Sequence, residues 1–207
     1  MIALESQNHA PPKWSEFERY IDLAGFTPLF SNARTVNRFR ARYRLAKSFQ
    51  KLDLNGYSRA TALGYDGFTK VTLWWSAFEQ LCQSLKIPLN NLQTLAIKYP
   101  LNSNLAAIRE HDTDGVFFKF VRYNLSSKEQ KRKIEQFLNG EYCSSFTLAK
   151  AIRHIFLHGA LTPNVNGSSP EKIYAICDIL GNALNEIIDK EFEEQVIKLI
   201  NMFPERG

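Results

Sequence analysis

The sequence has few cysteines and lacks long apolar runs, and both shortages narrow the class of protein. Its three cysteines, Cys82, Cys143 and Cys177, have no short spacing between any two, which favours reduced thiols in a cytosol over a disulfide framework or a CxxC zinc site. The longest uncharged apolar stretches, such as residues 71–78, are far below the ~20 residues that a membrane-spanning helix needs. The first ten residues lack a basic start followed by an apolar run, the pattern of an export signal. We therefore expect a cytoplasmic protein that does not enter a membrane.

Strand signals and cofactor motifs are also missing. No NG or DG turn lies between alternating apolar and polar runs, so hairpins are not indicated. The sequence contains no GxxxxGK[ST] or GxGxxG loop, no HExxH motif and no cysteine and histidine cluster with zinc spacing, which disfavours most cofactor enzymes and predicts no cofactor and no metal. Apolar residues recur with helical periodicity instead. The sequence therefore predicts an all-α fold, an up-and-down bundle of five to seven helices.

Caps and breakers divide the chain into helices. We predict helices over residues 14–23, 32–52, 57–85, 127–138 and 145–158, and a last helix from Pro170 onward. The first should end near Gly25, and the third has candidate breaks at Gly64 and Gly67. The expected N-caps of the last three helices are Ser127, Ser144 or Ser145, and Ser169, and Gly159 is the expected left-handed stop of the 145–158 helix. Residues 87–114 contain two prolines and several asparagines, which predicts an irregular insertion with one short helix over 105–110. The domain prediction is a helical arm over 1–55 and a bundle over 56–207.

Positive charge is concentrated in one predicted helix. The net charge is +5, and residues 31–50 carry six cations and no acid: Arg34, Arg38, Arg40, Arg42, Arg44 and Lys47. On a helix, these cations flank an apolar face made by Val36, Phe39, Tyr43 and Ala46. Such a basic surface is typical of nucleic-acid binding. The alternative is that the cations solvate this face or pair with the final segment, where 171–207 carries eight acids and four cations.

Two of the four histidines lie in one hexapeptide with an arginine. It reads Arg153-His154-Ile155-Phe156-Leu157-His158, and Gly159 follows. A neutral imidazole can take the proton of a ribose 2′-hydroxyl, and a guanidinium can stabilise charge that develops on phosphorus. Cations in a last helical turn can instead interact with the helix dipole. His154 and His158 also share a face and could hold a metal, but no third ligand is identifiable nearby.

The stretch FTLAKAIRHIFLHG, residues 146–159, resembles the signature of HEPN domains, all-α modules of higher eukaryotes and prokaryotes. Their pattern is an arginine, a polar residue and a histidine near the end of a late helix. The run WSAFE, residues 75–79, resembles the aromatic and acidic helix of many such domains and adds Glu79, although a salt-bridged or solvated role for that residue is more common. The resemblance covers roughly residues 57–203.

The resemblance implies a metal-independent endoribonuclease acting as a homodimer, with both copies of the motif in one cleft. His158 would be the base, Arg153 would stabilise the phosphorane, and His154 would orient the pair or contact phosphate. The alternative is a catalytically inactive module that binds RNA or protein, or an assembly subunit. The implied partners are RNA, a second copy and an antitoxin such as a small nucleotidyltransferase, in a toxin–antitoxin or defence role.

The spacing of the motif poses a geometric problem. Arg153 and His158 are five positions apart, which places them about 140° apart around a helix. The two side chains therefore do not share a face. Their convergence needs the arginine stem to wrap, the helix to end near His158, or a partner chain to complete the site.

Overall fold

The fold is given by a computed structural model that describes residues 9–24, 29–90, 92–100, 102–165 and 167–203. Of these residues, 72% are helical and none lies in a strand. The helices are α1 (Trp14–Ala24), α2 (Ala33–Ser48), α3 (Arg59–Ser84), α4 (Gln93–Lys98), α5 (Asn102–His111), α6 (Val116–Asn124), α7 (Lys128–Leu138), α8 (Ser145–Leu157) and α9 (Pro170–Met202). The all-α class is confirmed. No helix in these described ranges is long and apolar enough to cross a membrane.

The described residues group into two compact units. The first unit draws on the described residues within 1–49, 76–92 and 185–207. The second unit draws on the described residues within 50–75 and 93–184. The long helices α3 and α9 each contribute one part of their length to each unit. The division into an arm over 1–55 and a bundle over 56–207 stays a prediction.

Buried aromatic rings form the core of the first unit. The ring of Phe192 from α9 lies 5.6 Å from those of Trp14 and Phe17, 6.2 Å from that of Phe30 and 5.3 Å from that of Phe39. All five side chains are buried, and each contributes roughly 1.5–3 kcal/mol through burial. Phe39 belongs to the buried face of α2, which is the face predicted from the sequence: Val36, Phe39, Tyr43 and Ala46. The rest of α2 is therefore turned toward solvent.

In the second unit, α6, α7 and α8 pack against one another. The ring centroids of Phe118 in α6 and Phe137 in α7 are 4.8 Å apart. Most of α8 is enclosed, with seven buried residues: Ser145, Phe146, Leu148, Ala149, Ala151, Ile152 and Ile155. A helix so thoroughly packed leaves a small solvent-facing surface, and that surface determines what α8 can bind.

The predicted caps are confirmed. The backbone N–H groups of Gln130, Phe146 and Lys172 donate to the hydroxyl oxygens of Ser127 (3.3 Å), Ser144 (3.2 Å) and Ser169 (3.4 Å). Gly159 adopts a left-handed φ of 75°. Gly25, the predicted stop of the first helix, and Asn166, in the loop before α9, lie outside the described residues.

The predicted breaks in α3 are wrong, since the helix runs without interruption through Gly64 and Gly67. Both glycines mark close packing instead. A Cβ atom at Gly64 would lie 2.6 Å from Cβ of Pro163, and one at Gly67 would lie 3.0 Å from Cα of Tyr174. Here glycine permits a close approach between segments, which a sequence pattern does not distinguish from a helix break.

Three other boundaries differ from the predictions. α2 ends at Ser48, four residues before Leu52, because Phe49 has an extended backbone. The insertion contains two helices, α4 and α5, where one short helix over 105–110 was expected. The structure adds α6, so its described residues hold nine helices instead of five to seven.

The N-cap residue of α6 has no side chain that could cap the helix. This residue is Gly115, which has a left-handed φ of 64°. The carboxylate of Asp112 supplies the missing acceptor, since the N–H groups of Phe117 and Phe118 donate to its two oxygens at 2.9 and 3.0 Å. This cap lies further upstream than the usual motif, which explains why the helix was missed.

Candidate functional site at the end of α8

The hexapeptide closes α8 in a Schellman motif. The N–H of Gly159 donates to the carbonyl of Phe156, and that of Ala160 donates to the carbonyl of Ile155, both at 3.0 Å. This bond pattern requires a left-handed residue after the cap, and Gly159 provides it with a φ of 75°. His158 is consequently the C-cap residue. The helix thus ends at His158, one of the three conditions under which Arg153 and His158 could converge.

The solvent-facing side of α8 is a narrow stripe. Lys150, Leu157 and His158 are exposed, and Arg153 and His154 are partly exposed. These residues occupy positions i, i+3, i+4, i+7 and i+8, which together span about 140° around a helix with about 3.6 residues per turn. We call this set the open stripe. Four of its five members carry a cationic or titratable side chain.

His154 and His158 contact each other. Their ring centroids are 4.4 Å apart with an interplanar angle of 62°, an edge-to-face arrangement. Partial burial lowers the pKa of His154, and the nearby His158, Arg153 and Lys150 lower it further. His154 is therefore a neutral imidazole at neutral pH, because its ordinary value is already near 6.5.

Arg153 lies at the other edge of the open stripe. Measured around the helix axis from Lys150, Arg153 lies at about −60° and His158 lies at about +80°. Leu157 lies between them and is 53% exposed. The structure thus brings the two histidines together and places the arginine on the far side of an exposed apolar side chain.

The back of the site is anchored by aromatic contacts with α3. The ring of Phe156 lies 5.1 Å from that of Phe68 and 6.4 Å from that of Tyr65, which in turn contacts Tyr57 at 5.7 Å. The loop after His158 is held by the close approach of Pro163 to Gly64. These contacts fix the azimuth of α8, so the open stripe keeps a defined direction.

Glu79 belongs to the part of α3 that lies in the first compact unit, whereas the hexapeptide lies in the second. Its carboxylate is partly buried. Burial, and then the charges of Glu191 and Glu79, raise the pKa of Cys82 to about 12. Glu79 thus lies close to Cys82, and a role for it in catalysis stays a prediction.

The six cations of α2 fall into distinct environments. Arg34, Arg38, Arg42 and Arg44 are exposed and form no ion pair with any described residue. The other two have local contacts. Arg40 donates to Glu18 at 2.9 Å and lies 4.8 Å from the ring of Trp14. Lys47 lies over the ring of Tyr43 at 6.0 Å.

The acids at the end of α9 are engaged with other groups. The contacts are Lys190–Glu186 at 2.6 Å, Lys198–Glu194 at 2.7 Å, Lys13–Glu193 at 3.9 Å and Tyr43–Asp189 at 2.7 Å. None of these acids forms an ion pair with an arginine among the described residues of α2. Lys47 does act on the final helix, since its charge lowers the pKa of Asp189, whereas Arg34, Arg38, Arg42 and Arg44 remain open to solvent.

A cleft of about 540 Å³ lies elsewhere in the second unit, where α5, α6 and α7 meet. Several of its charged side chains have local partners: Arg122 pairs with Glu135, and Arg109 donates to the carbonyl of Glu141 at 2.7 Å. Asp112 caps α6. Within the described ranges, no group of three or more histidine, cysteine or acidic residues is arranged to hold a metal ion.

Sequence reasoning missed Lys150. Its signal is present in the sequence as a four-residue spacing, Lys150, His154 and His158, but only the burial of the neighbouring positions shows that this row is the open side of the helix.

Comparison with family models, with curated proteins and with solved structures finds no match to this chain. The geometry of α8 and the charge of α2 are therefore the basis for any functional conclusion.

Proposed function

We propose that this chain is a metal-independent endoribonuclease of the HEPN type that acts as a homodimer. The observation that supports it best is the composition of the open stripe. On a helix with seven buried residues, solvent can reach one guanidinium and two imidazoles in the last two turns. These are the groups that cleavage of RNA by its own 2′-hydroxyl requires.

The proposed reaction uses His158 as the general base. Its imidazole takes the proton of the ribose 2′-hydroxyl, the 2′-oxygen forms a bond to phosphorus, and the bond from phosphorus to the 5′-oxygen breaks. The 5′-oxygen takes up a proton from water, and the hydroxide that remains takes the proton from His158, which restores the neutral imidazole. The products are a 2′,3′-cyclic phosphate and a 5′-hydroxyl end. Arg153 stabilises the negative charge of the phosphorane.

His154 is a positioning residue in this proposal. Its edge-to-face contact with His158, at 4.4 Å, restricts the orientation of the second ring. Because burial and neighbouring cations lower the pKa of His154, it stays neutral and does not repel a protonated His158. The edge-to-face contact between the two imidazole rings can therefore persist throughout the reaction.

A second copy of the chain would complete the site. Arg153 and His158 stand about 140° apart on the helix, on either side of the exposed Leu157. Two copies that pack through Leu157 would bury this apolar side chain and would bring Arg153 of one copy toward His158 of the other. A homodimer would thus overcome the separation of Arg153 and His158 within one chain and would cover the exposed Leu157.

A second candidate function is RNA binding without cleavage, through α2. The observation that favours it is the row of exposed arginines at four-residue spacing, Arg34, Arg38 and Arg42, joined by Arg44. These side chains have no acidic partner among the described residues. Clustered cations of this kind bind phosphate groups and release counterions, so the affinity would fall steeply with salt.

The test is an RNA cleavage assay with purified protein in the presence of a chelator. We expect products that end in a 2′,3′-cyclic phosphate, and a loss of at least about 100-fold in rate for His158→Ala and for Arg153→Ala. His111→Ala and Arg59→Ala are matched controls in the same unit and should cleave like the wild type. Absence of cleavage, or cleavage unaffected by both site substitutions, contradicts the proposal.

The same preparation separates the second candidate. Salt-sensitive RNA binding without cleavage, lost when Arg34, Arg38 and Arg42 are replaced by alanine, would support the binding module. If the wild type neither cleaves nor binds RNA at low salt, an assembly role remains, in which the hexapeptide serves as a helix terminus.

A further inference from the structure

Lys150 lies in line with the two histidines on the open stripe. Lys150, His154 and His158 are spaced four residues apart, so successive side chains are displaced by about 6 Å along α8 and by about 40° around it. Lys150 is exposed. The cation therefore lies two turns upstream of His158, on the same side of the helix.

The upstream end of this row lies beside the first turns of α7. The hydrogen bond and charge of Lys133 lower the pKa of Glu129, and Arg132 and Lys150 lower it further. Arg132 from α7 and Lys150 from α8 thus both lie near Glu129. Because α7 and α8 pack against each other, the two cations border the same stretch of surface.

Neither of these cations forms a direct ion pair in the described part of the chain. Glu129 is bound by Lys133 at 2.9 Å, and Glu135, the other acid of α7, pairs with Arg122. Arg132 and Lys150 are exposed and form no ion pair with a described residue. Lys133, Arg132 and Lys150 thus surround one acid, Glu129, and the excess of positive charge raises the local concentration of anions.

We propose that Lys150 and Arg132 bind a phosphate group of the substrate RNA, upstream or downstream of the bond that is cut, and that the strand follows the open stripe from Lys150 to His158. This inference rests on the proposed ribonuclease function and adds the path of the substrate. A single strand carries a phosphate at every nucleotide, so a row of side chains along a helix can contact the backbone without reading its sequence.

Binding is tested with an oligonucleotide that cannot be cleaved. A 2′-O-methyl RNA of mixed sequence lacks the attacking hydroxyl, and its fluorescence anisotropy gives the dissociation constant over a range of salt concentrations. Lys150→Ala and Arg132→Ala should each weaken binding several-fold and reduce the slope of log K against log salt by about 0.7. Lys190→Ala is the control, because Lys190 is an exposed lysine of the first unit that pairs with Glu186.

Cleavage kinetics then separate the path from the chemistry. Arg132→Ala, whose charge is not among those that act on His154, should raise KM by the same factor as the dissociation constant and leave kcat near that of the wild type, whereas His158→Ala should lower kcat. If the wild type cleaves RNA and both Lys150→Ala and Arg132→Ala match it in KM and salt slope, the proposed substrate path is wrong, while the proposed ribonuclease function is retained. If the wild type binds with the predicted slope changes but never cleaves, the nuclease is wrong and the path stands. If the wild type does not bind the oligonucleotide, the path is wrong.

Discussion

Replacing Gly64 by alanine tests whether the loop behind the candidate site is held by close packing. The added methyl group would lie 2.6 Å from Cβ of Pro163, about 0.8 Å shorter than an ordinary contact of 3.4 Å. Pro163 cannot relieve this overlap by changing rotamer, because its side chain is a ring closed onto the backbone. Relief therefore requires the loop or α3 to move.

The magnitude follows from two opposing effects. Overpacking of this kind destabilises a fold by about 1–3 kcal/mol. Exchange of glycine for alanine within a helix stabilises it by about 1 kcal/mol. We therefore expect Gly64→Ala to lower the free energy of unfolding by about 0 to 2 kcal/mol, measured by urea denaturation.

Gly181→Ala is the matched control, because Gly181 also lies within a helix of the second unit. There the methyl group would lie 3.1 Å from Cγ of Lys70 and 3.3 Å from Cδ1 of Trp74. The overlap is smaller and the nearest atom belongs to a flexible side chain, so the change in stability should lie between zero and a gain of about 1 kcal/mol. Equal stabilisation by Gly64→Ala and Gly181→Ala would refute the reasoning, since close approach to Pro163 would then carry no penalty.

Two further predictions concern titratable groups. Tyr43→Phe removes the 2.7 Å hydrogen bond to Asp189 and should destabilise the protein by about 1 kcal/mol at neutral pH, since the acceptor is charged but partly exposed. Burial raises the pKa of Asp189, while the Tyr43 bond and Lys47 lower it. The loss in free energy of unfolding should therefore shrink in acid, where Asp189 is protonated in both variants. Denaturation at two pH values measures this difference, and an equal loss at both pH values argues against it. Lys150→Ala should raise the pKa of His154, because the lysine charge lowers it; NMR titration of the imidazole measures the change, and an unaltered value would mean that Lys150 does not face His154.

Apolar periodicity and caps predicted the helices whose signals are local. The buried face of α2, the caps at Ser127 and Ser144 and the stop at Gly159 all depend on residues within a few positions of one another, and the structure confirms them. The failures have non-local causes. Gly64 was read as a break because its partner, Pro163, lies about a hundred residues away, and no sequence window contains both.

The candidate site was predictable in its residues but not in its arrangement. The hexapeptide identified Arg153, His154 and His158 from spacing and type alone. Which of them share the open stripe depends on burial by α3, α6 and α7, and that burial comes from tertiary packing. The same limit explains Arg40, whose sequence neighbours are exposed arginines but whose own side chain is engaged by Glu18 and Trp14.

Stabilisation of the helix terminus does not account for Lys150 and His154 in the open stripe. A cationic side chain favours a helix C-terminus by bonding the last carbonyls or by its positive charge. The carbonyls of Ile155 and Phe156 already accept bonds from the backbone of Ala160 and Gly159, so they need no side-chain donor. The pKa of His154 is lowered, and a neutral imidazole gains nothing from the dipole. Lys150 lies two turns before the cap, where the dipole no longer acts. The positions of Lys150 and His154 are therefore the observations on which the proposal of anion binding along α8 depends.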